Sequence, residues 1–167
     1  MIEFKDKIVY KAAIDPNSHP VLIELKIPAF AQRVEFKMLT TVANKKYAER
    51  TRGRASFAYV QDIWLLEQDL LADDPDALRE GENIRFAISA FDFNTTYMKG
   101  FDIHPNWFDR NPCERCSNGI NYFLDKDAAI SYAAYDHWFY GRMKEHQRQG
   151  IEDQGVFRGP IRYPRWT

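Results

Sequence analysis

The chain has 167 residues, 45% of them hydrophobic, and its 23 basic and 24 acidic residues leave a formal net charge of -1. That is enough apolar material for one domain with a proper core and too little length for two, and near-neutrality supplies no global field for a polyanion or an anionic membrane surface. No apolar run approaches the roughly 20 residues of a bilayer span, residues 1–7 lack the apolar segment of a signal peptide, and two cysteines make no disulfide framework, so the expectation is a cytoplasmic chain without membrane association.

Residues 7–11 read as a first strand, and the turn-forming run Asp15, Pro16, Asn17, Ser18, His19, Pro20 separates it from a second. In that second strand Val21, Ile23, Leu25 and Ile27 alternate with Leu22, Glu24 and Lys26, and Pro28, which cannot donate to a ladder, ends it. Residues 29–34 suggest a helical turn, and residues 35–43 are ambiguous between strand and loop. Residues 44–54 carry the densest positive charge of the chain; with no Gly-rich phosphate motif beside them, they read as a solvated connection. A long strand is expected over residues 55–66. An acidic surface excursion with a turn of helix follows over residues 67–82, without the ligand spacing or central Gly of a calcium loop.

Ile84, Phe86, Ile88 and Ala90 alternate again, and the run through Phe91, Phe93 and Tyr97 to Gly100 predicts one or two strands near the sheet centre. Residues 100–111 form a loop. The sharpest signal is residues 112–140. Gly119 suits the positive φ of a tight strand entry, residues 120–124 are a short apolar strand, and Asp125 is placed to cap a helix with its carboxylate. Within that helix Ala129, Tyr132, Ala133, Asp136 and Tyr140 recur at three- and four-residue steps, so one side carries two tyrosines and a carboxylate. Residues 141–150 are polar, and from about residue 155 Phe157, Arg158, Arg162, Tyr163, Arg165 and Trp166 interleave cations with rings. The pattern predicts a single α+β domain over residues 1–167. Its sheet is mixed or mainly antiparallel, with about five to seven strands, covered by one main aromatic helix over residues 125–142.

Three stretches carry a resemblance. They are the strand end Leu25-Lys-Ile-Pro-Ala-Phe-Ala-Gln-Arg-Val34; the basic strand entry Arg54-Ala-Ser-Phe-Ala-Tyr-Val60; and the set Tyr97-Met-Lys-Gly100, Pro105-Asn-Trp-Phe-Asp109 and residues 116–129 with Tyr132. On these the chain resembles a domain family of unknown function found in tailed phages and large DNA viruses, and beside pentapeptide repeats in longer proteins. The family usually has a His after the Gly-Ile pair where this chain has Asn121. The resemblance implies a viral setting and no established activity. A second, looser likeness joins Gly119-Ile-Asn-Tyr-Phe123, Ala129 and Tyr132 to the strand and helix of ADP-ribosyltransferases, in which the tyrosine stacks on nicotinamide. Such an enzyme also needs an earlier ribose-binding residue, for which Tyr97 or Arg85 stand nearest, and a late Glu, for which Glu145 and Glu152 are the candidates.

No catalytic constellation is otherwise visible. Cys113 and Cys116 supply two zinc ligands without a second pair at suitable spacing, with only His104, His137 and His146 to add from a distance, and read as ordinary thiols at a turn. No Ser/His/Asp grouping has local support. The expectation is therefore a phage-type accessory protein that acts by binding a host protein or a small nucleotide, without metal or cofactor, and with NAD-dependent ADP-ribosyl transfer as the alternative. The nucleotide would sit in a pocket between Tyr97, Trp107, Tyr122 and Tyr132. Trp138, Arg158, Arg162, Arg165 and Trp166 form the expected interaction surface. Stacking of single-stranded nucleic acid on the tail is a third choice, weakened by Glu145, Glu152 and Asp153 just before it.

Overall fold

The turn after the first strand sets the first hairpin. Asp15 accepts the backbone N–H groups of Asn17 and His19 on Oδ1, at 2.9 and 2.7 Å, which reverses the chain within a few residues. In the computed structural model, which describes residues 5–43, 46–105, 108–111 and 118–153 and side chains through residue 150, this turn joins β1 (Lys7–Ile14) to β2 (Pro20–Ile27). The two strands pair without a break from Lys7 opposite Ile27 to Ile14 opposite Pro20.

Among the described residues ten strands form one sheet, every pairing antiparallel. β3 (Arg33–Thr41) and β4 (Tyr47–Ala55) make a second long hairpin, and β5 (Ala58–Gln68) and β6 (Leu78–Ile84) a third. β10 (Ile120–Phe123) inserts between β4 and β1, giving the order β3-β4-β10-β1-β2-β5-β6. Off this path lie β7 (Phe86–Ile88), β8 (Thr96–Met98) and β9 (Asp102–Ile103). Side chains alternate between two buried clusters. One contains Val9, Ala13, Val21, Ile23, Leu25 and Tyr122; the other contains Ala12, Ile14, Leu22, Phe123, Ala129 and Phe139 and is covered by helices.

Several expectations are corrected. Residues 44–54 are not a solvated connection: 47–55 are β4, with Gly53, Arg54 and Ala55 buried. Arg52 and Arg54 fit because the fold brings partners against them. Arg54 donates to the carbonyls of Asp109 and Asn111 and lies 5.7 Å over Phe36, and Arg52 stacks on rings of the helical side. Gly53 is small because the Tyr122 ring rests on it, where a Cβ would overlap that ring. The long strand expected at 55–66 is β5 at Ala58–Gln68, and the acidic excursion contains β6.

The pair of strands expected over residues 84–100 is present, but it lies off the main strand path, with β7 joined to the end of β1. Asp92 accepts the N–H groups of Asn94 and Thr95 and the Thr95 hydroxyl, Phe93 adopts a positive φ of 62°, and the chain folds back as the short β7–β8 hairpin. The single aromatic helix is two: α1 (Lys126–Tyr135) and α2 (His137–Asp153). The break falls at Asp136, whose backbone is extended and whose carboxylate accepts the Phe139 N–H at 3.0 Å, capping α2. Asp125 occupies the N-cap position of α1 but makes no side-chain cap bond. Gly119 does enter β10 with φ of 143°. Among the described residues no helix is long and apolar enough to cross a membrane.

Candidate functional site

β1 and β10 share one register pair, Tyr10 opposite Phe123, and then separate. The split opens beside Lys11, which follows Val9 and precedes Ala13 on the alternating face of β1 that faces the first cluster. Its ammonium donates to the Asn121 carbonyl of β10 at 2.9 Å, bridging the gap with a side chain. Two cavities flank this bridge and share Lys11, Phe91 and Asn121 as walls.

The larger, about 390 Å³, lies between β1, β4, β10 and the α1–α2 elbow. Its size is at the small end of the range for small-molecule sites. Rings of Phe91, Tyr122, Phe123, Tyr132, Trp138 and Phe139 line it, with Lys11, Arg52 and Asp136 as its charged groups. The Arg52 guanidinium carbon sits 4.8 Å from the Phe123 ring centre and 5.3 Å from that of Tyr132. Tyr132 is itself wedged between Phe123 and Phe139, at 5.3 and 5.6 Å. Among the described residues neither Arg52 nor Lys11 forms an ion pair, although Asp136 stands in the same wall and the charge of Asp92 acts on Lys11. The smaller cavity, about 140 Å³, is polar, lined by Ser89, Asp92, Thr95, Tyr97, His104 and Asn121 with Lys11.

Electrostatics single out the bridge. Burial and, second, the Arg52 charge lower the Lys11 pKa from 10.5 to about 8, against the opposing pull of Asp92. Burial alone would raise the Asp92 pKa, but the bonds from Thr95 and Asn94 and the charge of Lys11 outweigh it and hold the carboxyl below its ordinary range. Burial pushes the Tyr97 hydroxyl well above its ordinary value.

The expected site residues are distributed as follows. Tyr122 and Tyr132 border the larger cavity together with Trp138, which is 48% exposed at its edge. The Tyr122 hydroxyl is directed elsewhere, donating to Glu35 Oε2 at 3.0 Å. Tyr97 borders only the smaller cavity, with the Lys11 ammonium 5.9 Å from its ring centre. Trp107, Cys113, Cys116, Arg158, Arg162, Arg165 and Trp166 lie outside the described residues, as does the side chain of Glu152. Glu145 is engaged with Arg148 and Gln149 on α2 and borders neither cavity. Among the described residues no three His, Cys, Asp or Glu side chains converge as a metal site.

Lys11, Arg52, Phe91 and Asp92 were not legible as site residues. The one available signal was a lysine in the register of Val9 and Ala13, where an apolar residue is expected. A second polar grouping was also missed. Ser18, at a positive φ of 66°, shares a hydrogen bond of 2.5 Å with His146 Nδ1, and Asp15 lies near that ring. Ser18 is 1% exposed and borders neither cavity, so the pair ties the β1–β2 turn to α2 and offers a substrate no approach.

Comparison with curated proteins and with solved structures gives no match. Residues 3–129 match a family of unknown function, DUF5758. That span holds all ten strands, and with them Lys11, Arg52, Phe91, Asn121 and Phe123 of the larger cavity, whereas Tyr132, Asp136, Trp138 and Phe139 on its helical wall follow the matched span. With three quarters of its length matched, including every strand among the described residues, the chain belongs to the DUF5758 family.

Proposed function

We propose that this protein acts by binding a small aromatic anion of mononucleotide size in the larger cavity, and not by catalysis. The observation that carries the reading is the combination of a cavity of about 390 Å³, six aromatic residues in its wall and two cations that form no ion pair among the described residues. Rings give a base a stacking surface, and Arg52 and Lys11 give a phosphate charge and hydrogen-bond donors. Asp136, on the same wall, is an acceptor suited to sugar hydroxyls. Binding is the reading favoured here because the rings and cations of this wall are groups that hold an anion, while Glu145, one of the two glutamates named for NAD-dependent transfer, does not border the cavity.

The setting we infer rests on the resemblance: a phage-type accessory protein in the host cytoplasm, where a captured nucleotide or a nucleotide-dependent host protein is the target of takeover or counter-defence. Trp138 and Phe91, both exposed at the cavity edge, are the rings such a protein partner would meet first.

Thermal unfolding against mononucleotides, cyclic dinucleotides, NAD and ADP-ribose tests the reading. A ligand at 100 times its Kd adds about 2.7 kcal/mol, a shift of several degrees for a domain of this size. The expected result is a shift with at least one phosphate-bearing nucleotide and none with its nucleoside at equal concentration. A shift with the nucleoside alone, or with none of the panel at millimolar concentration, contradicts it.

A further inference from the structure

Lys11 differs from the lysines around it. Lys7, Lys99 and Lys126 each sit within 3.1 Å of a carboxylate, whereas the Lys11 ammonium reaches a backbone carbonyl and borders two cavities. The groups facing it come from every surrounding element: Arg52 of β4, Asp92 in the β7–β8 turn, Tyr97 of β8 and Tyr122 of β10. Further off are His104 across the smaller cavity, and Tyr132 and Asp136 across the larger. A lysine whose pKa is about 8 instead of 10.5 holds about 300-fold more neutral amine at pH 7 than an ordinary one. Nothing in simple anion binding uses that amine.

We propose that Lys11 is a nucleophile that takes an aromatic aldehyde bearing an anionic group into the larger cavity as a Schiff base. The ligand's ring would lie among Phe91, Phe123 and Tyr132, its anionic group on Arg52 and its carbonyl carbon at the Lys11 nitrogen. The nitrogen attacks the carbonyl carbon, a C–N bond forms and the C=O bond breaks. The oxygen leaves as water with the two protons that the ammonium nitrogen sheds overall, and the positive charge stays on the iminium. No oxidant or reductant takes part. Asp92, held below its ordinary pKa and sharing the smaller cavity with Lys11, stabilises that charge and is a carboxylate placed to carry the proton in transit. A partly buried amine in a cavity wall beside a second cation is an arrangement that activates a lysine for carbonyl chemistry.

The ligand's aromatic and anionic character rests on the binding reading; the reactivity of Lys11 does not, and the experiment separates them. Full-length protein is incubated with 4-formylbenzoate, or with benzaldehyde, in the presence of cyanoborohydride, and peptide mass spectrometry follows each lysine. The expected result is labelling of Lys11 at least ten-fold faster than of any other lysine, with a half-maximal rate near pH 8, loss of that advantage in denaturant, and loss of the fast phase in Lys11→Arg. Labelling at the rate of the exposed lysines, or equally fast in denaturant, overturns the proposal even if nucleotides bind. Fast labelling by benzaldehyde and 4-formylbenzoate alike keeps the nucleophile and overturns the role given to Arg52.

Discussion

The Lys11 ammonium spans the split between β1 and β10 to the Asn121 carbonyl, 2.9 Å away, where one register pair is all that joins the two strands. A charged side chain thus closes a sheet that backbone pairing leaves open, and the two cavities exist because the closure is incomplete. Charge at that position opposes folding. The unfolded chain binds the proton below pH 10.5 and the folded chain only below about 8, so Lys11 destabilises the fold fully below pH 8 and progressively less as pH rises toward 10.5.

Lys11→Met should therefore stabilise the protein at pH 7. The pKa lowering corresponds to roughly 3 kcal/mol against the charged form, reduced by about 1 kcal/mol for the lost bond to Asn121 and further by the open cavities beside the side chain. A net gain on the order of 1 kcal/mol raises Tm by about 2–4 °C. Thermal unfolding at pH 7 and pH 10 checks it, with the difference shrinking at the higher pH; a lower Tm at pH 7 contradicts it.

Gly53 and Tyr122 form the second dependent pair. A Cβ on Gly53 would overlap the Tyr122 ring, so Gly53→Ala should cost about 2 kcal/mol or more by overpacking. Tyr122→Phe, which removes the bond to Glu35, should cost about 1 kcal/mol. Adding Tyr122→Ala to Gly53→Ala should recover part of the Gly53→Ala loss, and denaturant unfolding of the four proteins in a double-mutant cycle measures that coupling. Additive losses would place the ring elsewhere.

Asp136 caps α2, so Asp136→Ala should lower stability by about 1 kcal/mol, with Asp136→Asn close to wild type. Chemical denaturation of the three proteins gives the order directly. Equal losses in the alanine and asparagine variants would mean that the carboxylate charge, not the cap, is what matters at the elbow.

Burial lowers the His146 pKa below its ordinary 6.5. The unfolded chain then takes up the proton at a higher pH than the folded one. The His146 contribution is flat above pH 6.5 and stability falls as pH drops below it. His146→Gln should remove that slope below about pH 6.5, so that the Tm difference between variant and wild type moves in the variant's favour on acidification. Parallel Tm profiles for the two proteins would rule out the titration.

Elements whose information is local were legible in the sequence. β2 alternates from Ile23 to Ile27 and β10 is a short, largely apolar run behind a glycine that does take a positive φ. β4 was hidden because its inward positions are filled by Arg52, Gly53 and Arg54, which look solvated until Tyr122, Phe123 and the Asp109 and Asn111 carbonyls are brought against them from 55 residues or more away. The helix break carries no Gly or Pro; Asp136 marks it through its backbone and a cap that only the fold reveals. Tyr122, Tyr132 and Trp138 come together in one cavity, but the cations beside them come from β1 and β4, whose placement around β10 is a property of the sheet order.

Isothermal titration of wild type, Arg52→Gln and Tyr132→Ala with the mononucleotide that gives the largest thermal shift tests nucleotide binding in the larger cavity most directly. Saturable one-to-one binding by the wild type, weakened at least ten-fold in both variants while their folds persist by circular dichroism, is the expected result. Binding of equal strength in all three proteins, or no saturable heat from the wild type, would contradict a nucleotide site between Arg52 and Tyr132.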